Sequence, residues 1–405
     1  MDLKINNIGL NSISRKRICF LLPWFATYRF DFFRLLESTY ASRYDIFVLH
    51  GQKPSDKVIN YSKPKDIKSK GLLTVERNLF GYKLTWQKGL FAEIKKNRPE
   101  IFIMLFNPGT LNYLIITIYA KMLNIPFAFW VCGWRRPELV GFHLNFRDIV
   151  YERFLKLADL LISYSSSYAN DLRKDGFDSR KIIVAQNTIN IERIVSSTVT
   201  RDKKQSRIQI GINDDDFIFL FVGGIVKEKN LLNAINAIMK YNFHENKIQF
   251  IIVGNGPEKE SIIEYMHSNS INNVKLVGAL HGEELRPYFE SADVFLLPGD
   301  GGLAVNEAMA YGLPIISAIG DGTITDLVED NVNGYLLNQG SPEEIEMTIG
   351  KILALDKKRL IEMGHASYNI IIEKGTLQNM VEQFNKGIEI LNSKNQLNLQ
   401  KCITS

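Results

Sequence analysis

The chain has 405 residues, of which 45% are hydrophobic, 23% charged and 11% aromatic. That length exceeds one ordinary core and suits two domains of roughly 150–200 residues each, and the composition excludes a fibrous or disordered chain. A formal net charge of +5 is too mild for the dense basic stripe of a nucleic-acid binder, and it suits an anionic small ligand or transient contact with an anionic membrane surface.

The first half opens with an apolar strand, RICFLLP, followed by the helix-like FDFFRLLESTY and the strand YDIFVLH. LTWQKGLFAEIKKNRP then reads as a helix, EIFIMLF as a strand, TLNYLIITIYAKMLN as a helix and IPFAFWV as a strand. IVYERFLKLA, DLLISYS and IIVAQNTIN close the series. Short apolar strands alternating with amphipathic helices indicate parallel βαβ units. The polar stretch VSSTVTRDKKQSRIQIGINDDD is expected to be a linker.

The alternation then restarts with DFIFLFVGG (strand), NLLNAINAIMKY (helix), IQFIIVGNG (strand) and KESIIEYMHS (helix). VKLVGAL, DVFLLPG, LPIISA and GYLL are further strands, with EELRPYFESA and TDLVED as helices between them and a mostly helical tail from Pro342. The predicted fold class is α/β, with two doubly wound Rossmann-like domains facing across a cleft. An N-terminal domain is expected over residues 1–195 and a C-terminal domain over 205–375. A final helix, about 376–393, is expected to pack back on the first domain. In such sheets ligands sit at the carboxyl ends of the strands.

Two segments mimic targeting signals. The apolar run ICFLLPWFA follows Arg15-Lys16-Arg17 but lacks a small-residue cleavage site. Residues 101–120 carry no charge, but Asn107-Pro108-Gly109 splits them into pieces too short to span a bilayer. The three cysteines Cys19, Cys132 and Cys402 form no CxxC pair, which fits a reducing compartment. A cytoplasmic protein, at the inner face of the membrane where it touches one, is the expectation.

Three stretches in the second half carry chemistry. In VGGIVKEKN a strand ends at Gly223-Gly224, and Lys227 and Lys229 precede the next helix. Glycines let the backbone approach a phosphate, and lysine supplies a point charge to it. In IIVGNGPEKE, Gly254 and Gly256 follow a strand, without the full GxGxxG fingerprint of a dinucleotide site. In PGDGGLAVNEAMAYGLPII a glycine loop (Asp300, Gly301, Gly302) leads into a helix beginning near Leu303, with Glu307 one turn in. A helix start favours a diphosphate, and a carboxylate accepts hydroxyl protons from a ribose. Each stretch alone also fits an ordinary βα turn.

Taken together, VGGIVKEK, GNGP, ADVFLLP, VNEAMAYGLPII and DNVNGYLL resemble, in order and spacing, the C-terminal half of the retaining GT-B-fold glycosyltransferases, the large bacterial polysaccharide and mannosyltransferase-like group (glycosyl transferases group 1). The resemblance covers roughly residues 215–340 well, and it implies that the domain over 1–195 binds the acceptor and the domain over 205–375 binds the nucleotide sugar. It implies that Lys229 holds the donor pyrophosphate and Glu307 its ribose, both assigned to the catalytic centre. Gly302 and Leu303 would offer backbone N–H groups, and Val277 to Leu280 would frame the base. It further implies a nucleoside diphosphate sugar as donor substrate, no cofactor, no metal, and a saccharide or polyprenyl-linked acceptor, in cell-surface polysaccharide synthesis. The rival is a catalytically silent sugar-nucleotide-binding protein of the same fold.

Three departures from the family pattern stand out. The first acid of the paired E-x7-E falls at Gly299, with Asp300 one position later; the usual phosphate-binding arginine falls at Gly224; and the first-domain His-Gly reads Cys132-Gly133, followed by Trp134, Arg135 and Arg136. Arg135 and Arg136 are candidates to replace lost phosphate contacts from across the cleft. In the first βα loop, PWFATYRFDFF, the residues Trp24, Phe25, Tyr28 and Arg29 are candidates for the acceptor side, and Phe32 and Phe33 read as core. Asp214-Asp215-Asp216 reads as a polar turn, and the histidines show no metal-ligand spacing.

Overall fold

The computed structural model describes residues 15–52, 66–79, 82–133, 142–196, 202–241, 248–320, 322–338 and 340–404. In chain order the first half runs β1 (Lys16–Leu22), β2 (Tyr44–Gly51), β3 (Ser69–Leu72), β4 (Thr74–Leu79), β5 (Tyr82–Gln87), β6 (Ile101–Leu105), β7 (Phe127–Val131), β8 (Leu160–Ser163) and β9 (Ile182–Val184). Seven of these form one sheet in the order β3-β2-β1-β6-β7-β8-β9, with its pairings parallel. Alternation along β1 sends Ile18, Phe20 and Leu22 into one apolar layer and Cys19 and Leu21 into the other. Two buried faces explain why these strands read as unbroken apolar runs.

The second half contributes β10 (Phe217–Val222), β11 (Ile248–Val253), β12 (Val274–Gly278), β13 (Val294–Leu297), β14 (Ile315–Ala318) and β15 (Gly334–Leu337). They pair in the order β12-β11-β10-β13-β14-β15. In each sheet the order reverses between two adjacent strands, β1 and β6 in the first and β10 and β13 in the second. The crevice at such a reversal is where an open α/β sheet holds its ligand. The architecture is α/β, with two Rossmann-like parallel sheets. The helix Leu377–Thr404 crosses back, and its Leu377, Met380, Val381, Phe384, Ile388 and Leu391 complete the first domain's apolar layer.

The structure corrects three readings. Thr74–Leu79 and Tyr82–Gln87 pair antiparallel as β4 and β5, and the helix begins only at Leu90; the β-branched and aromatic residues of LTWQ favour strand, and Gly89 adopts φ 82° ahead of the helix. The expected linker folds from Asp202, whose side chain caps the helix Lys203–Gln209. Within that helix Arg207 is buried and reaches Asp293 at 2.8 Å. Phe25 belongs to the core, edge-on to Phe30 and Phe33 at 4.8 and 5.2 Å.

Candidate functional site

Three loops of the second sheet are joined through their backbones. The amide of Gly223 donates to the Val253 carbonyl and that of Ile225 to Asn255, both at 3.0 Å, and Gly254 donates to Gly278 at 2.8 Å. The fit requires glycine at two positions: a Cβ at Gly254 would lie 1.8 Å from the Gly223 carbonyl oxygen, and one at Gly256 would lie 2.1 Å from that of Ile225. The loops after β10, β11 and β12 thus form one floor, with Val277 and Leu280 half-buried against the core beneath it.

Lys229 ends a 3-10 turn, Lys227–Lys229, and the left-handed Asn230 (φ 52°) redirects the chain into the next helix. Because β10 is adjacent to β13, Lys229 reaches the glycine loop after β13. Its ammonium donates to the carbonyls of Asp300 and, at 2.7 Å, Gly301. Gly302 lies beside it; a Cβ there would sit 3.6 Å from Nζ. Lys227 is exposed, and so is Asp300.

The position of the missing first acid has a packing cause. Gly299 is buried, and a Cβ on it would meet the Glu228 carbonyl oxygen at 2.1 Å and the Lys229 backbone within 2.7 Å. No side chain fits there with the Lys227–Lys229 turn in place. Gly224 is the opposite case, with nothing within 4 Å of an added Cβ.

The glycine loop leads into the helix Ala304–Ala310, which starts after Leu303 and stops at Gly312 with φ 75°. It is only seven residues long, so its end charge is local to the first turn. Glu307 on this helix is 8% exposed. Its Oε1 accepts from Arg193 Nη2 at 2.8 Å. Burial pushes the Glu307 carboxyl above its ordinary range, Arg193 pulls against that shift, and nearby Glu283 adds to it. Burial likewise pushes the Tyr311 hydroxyl, one turn further on, up to about 12.

Arg193 comes from the segment that leaves β9, and other bonds likewise join the first half of the chain to the second. Asn306 donates to Thr188 Oγ1 at 3.0 Å, Gln186 donates to the Thr323 carbonyl at 3.2 Å, and the Ser166 amide donates to Asp326 at 2.6 Å. A small cleft beside the Arg193–Glu307 pair is lined by Arg193, Gly282, Glu283, Arg286 and Tyr311. Sequence reading missed Arg193 and Glu283. Neither sits in a glycine loop or has a distinctive spacing, and only the fold brings them to Glu307.

On the first sheet, Arg29 is buried, Trp24 half-buried and Tyr28 exposed. Gly133 is exposed and left-handed at φ 80°. Arg135 and Arg136 lie outside the described residues. The structure therefore brings Lys229 together with Asp300, Gly301 and Gly302, and Glu307 with Arg193, while Lys227 takes no part in these bonds.

Residues 202–368 match the family described as glycosyl transferases group 1. The chain is 29% identical over 173 residues to an alpha-monoglucosyldiacylglycerol synthase of Acholeplasma laidlawii, covering 42% of each protein. It is also 29% identical over 205 residues to the amylovoran biosynthesis glycosyltransferase AmsK of Erwinia amylovora, covering 48% of this chain and 47% of that one. The chain thus spans less than half the length of these curated relatives. Among solved structures, Anabaena Alr3699/HepE in complex with UDP superposes with a TM-score of 0.69 at 17% identity, over 92% of this chain and 99% of that one. At that identity the likeness is one of fold. The match to the glycosyl transferases group 1 family is thus carried by residues 202–368, under half of the chain, and the two parallel Rossmann-like sheets are those of the two-domain GT-B fold.

Proposed function

We propose that the chain is a glycosyltransferase. It moves a sugar from a nucleoside diphosphate donor to a saccharide or lipid-linked saccharide acceptor with retention of configuration, in the synthesis of a cell-surface polysaccharide. The observation that carries this reading is the placement of Lys229 and Glu307 at one edge of the second sheet, the lysine on a turn and bonded to a glycine loop, the carboxylate buried in the helix that this loop leads into. The naming of AmsK as an amylovoran biosynthesis enzyme supports the polysaccharide role, and the UDP in the HepE structure supports a nucleotide donor.

In this reading Lys229 neutralises charge on the departing diphosphate, and Glu307 accepts ribose hydroxyl protons. Two loop carbonyls already hold the ammonium in place, so little reorganisation is needed as charge develops. Removing such a group costs about 2.7–4 kcal/mol of transition-state stabilisation. With that charge supplied by lysine, the reading takes transfer to be metal-independent. Contact with an anionic membrane is part of the proposal. The helix Leu111–Met122 exposes Leu111, Ile115, Ile118, Tyr119 and Met122 at helical spacing, an apolar stripe suited to a bilayer surface.

The test is a donor panel offered to purified chain, with release of nucleoside diphosphate and sugar transfer followed with and without chelator. Turnover that persists in chelator, and falls roughly 100–1,000-fold in Lys229→Ala at unchanged stability, is expected. Donor binding without turnover would favour the silent homologue, the reading to which the enforced glycine at 299 lends weight. Loss of activity restored by manganese or magnesium would overturn the metal-independent mechanism.

A further inference from the structure

Arg29 closes the 3-10 turn Thr27–Arg29 and opens the helix Phe30–Tyr40. The residue is 5% exposed. Its guanidinium lies 4.2 Å from the centre of the Trp130 ring, and Nη2 donates to the Tyr164 hydroxyl. The Nε and Nη1 groups are buried and find no acceptor among the described residues. Among the described residues no carboxylate pairs with it; the acid nearest in sequence, Asp31, is bound by Arg34 at 2.8 Å and by Asn190 at 3.2 Å.

A guanidinium cannot shed its proton to relieve this situation. Buried charges in folded proteins are paired, and a buried charge without a counter-ion is strongly unfavourable. The face of Trp130 offsets part of that cost, but a ring face gives no acceptor to two N–H groups. Arg29 follows β1, Trp130 lies on β7 and Tyr164 follows β8. All three therefore lie toward the carboxyl edge of the first sheet, the edge at which such sheets hold ligands.

We infer that Arg29 is the counter-ion for an anionic acceptor, a phosphate or diphosphate ester whose oxygens take the two orphaned N–H groups. The inference rests on the glycosyltransferase reading and names the acceptor class for it. Tyr28, 37% exposed, is the most exposed of the three rings around the guanidinium, which lies 5.3 Å from its centre, while Trp130 and Tyr164 are 0% and 5% exposed. An anion reaches Arg29 by displacing the Tyr28 ring. The charge is held in a low-dielectric setting, where it binds an entering phosphate more strongly than a surface lysine would.

The experiment compares wild type with Arg29→Met and Arg29→Gln. Calorimetric titration uses geranyl diphosphate and, separately, glucose 1-phosphate, with UDP present throughout, and melting temperature is recorded for every sample. At least one anion should bind wild type and lose tenfold or more in affinity in Arg29→Met, which should melt no lower than wild type because an unpaired buried charge has been removed. Binding of geranyl diphosphate alone identifies a lipid-linked phosphate; binding of glucose 1-phosphate alone identifies a soluble sugar phosphate. Failure of both to bind, equal affinities in wild type and variants, or a lower melting temperature with anion binding intact would overturn the inference and leave Arg29 a structural partner of Trp130. If Arg29→Met does not fold, Arg29→Gln carries the same comparison. Affinity of the wild type for UDP, measured alongside, reports on the donor site separately: a chain that binds UDP but no phosphate ester keeps the proposed function and loses this inference.

Discussion

Glu307 shows how one side chain is set by opposing environments. Burial raises its proton affinity and Arg193 lowers it. Only the ionised form can accept two ribose hydroxyls, so donor affinity should fall as pH drops through the raised pKa. Glu307→Gln should weaken donor binding while the fold survives. Arg193→Met removes the group that opposes burial, so its affinity-versus-pH curve should shift to higher pH than that of wild type. Calorimetric titration of donor across pH checks both, and superimposable curves would show that Arg193 does not tune Glu307. The two glycines at family side-chain positions give a second contrast. Gly299→Ala should destabilise the fold by roughly 1–3 kcal/mol through overpacking, measured by urea denaturation, because its Cβ meets backbone that cannot swing away. Gly224→Arg has open space and should leave stability unchanged while tightening diphosphate binding.

At the scale of elements, periodicity made most of the fold legible. Apolar runs such as IFIML and FAFWV are buried at every position, because a parallel strand between two helical layers has no solvent face. The β4–β5 pair was obscured because its strands are half-exposed and polar, with β4 reading TVERNL. The helix Lys203–Gln209 was hidden by its charge: KKQSRIQ looks like a linker until Arg207 is seen to donate to Asp293 and to the Ser291 carbonyl. Arg207→Met should therefore cost up to about 3 kcal/mol, the low end for breaking a buried pair, since Lys203 still reaches Asp293 at 2.6 Å. A melt of the variant would check it, and an unchanged midpoint would return the segment to the status of a tether. The glycine loops and Glu307 were legible from local spacing, whereas Arg193, Glu283 and the orphaned face of Arg29 depend on contacts between distant segments and leave no local mark.

Across the whole molecule, the helix Leu377–Thr404 ties the end of the chain to its beginning. Phe384 lies 4.8 Å from Phe32, 4.9 Å from Trp130 and 6.1 Å from Phe20, centre to centre. Phe384→Ala should cost about 3–5 kcal/mol and loosen the first domain before the second. Hydrogen exchange that rises in β1 and β7 while β10 and β13 stay protected would show this, and uniform loosening would contradict it.

That returning helix also bears on how the protein is made. Arg43 and Glu389 are bonded at 2.9 Å yet stand 346 positions apart in sequence. Chains emerge at roughly 5–20 residues per second and their domains tend to fold in order of synthesis. Here the first domain emerges early but lacks the aromatic wedge that closes its core until the last helix has been synthesised. The second domain has its own complete apolar cluster and can finish first. For that interval a growing chain exposes Phe20, Phe32 and Trp130 to solvent, so chaperone dependence and losses to aggregation should concentrate in the half of the protein that is translated first.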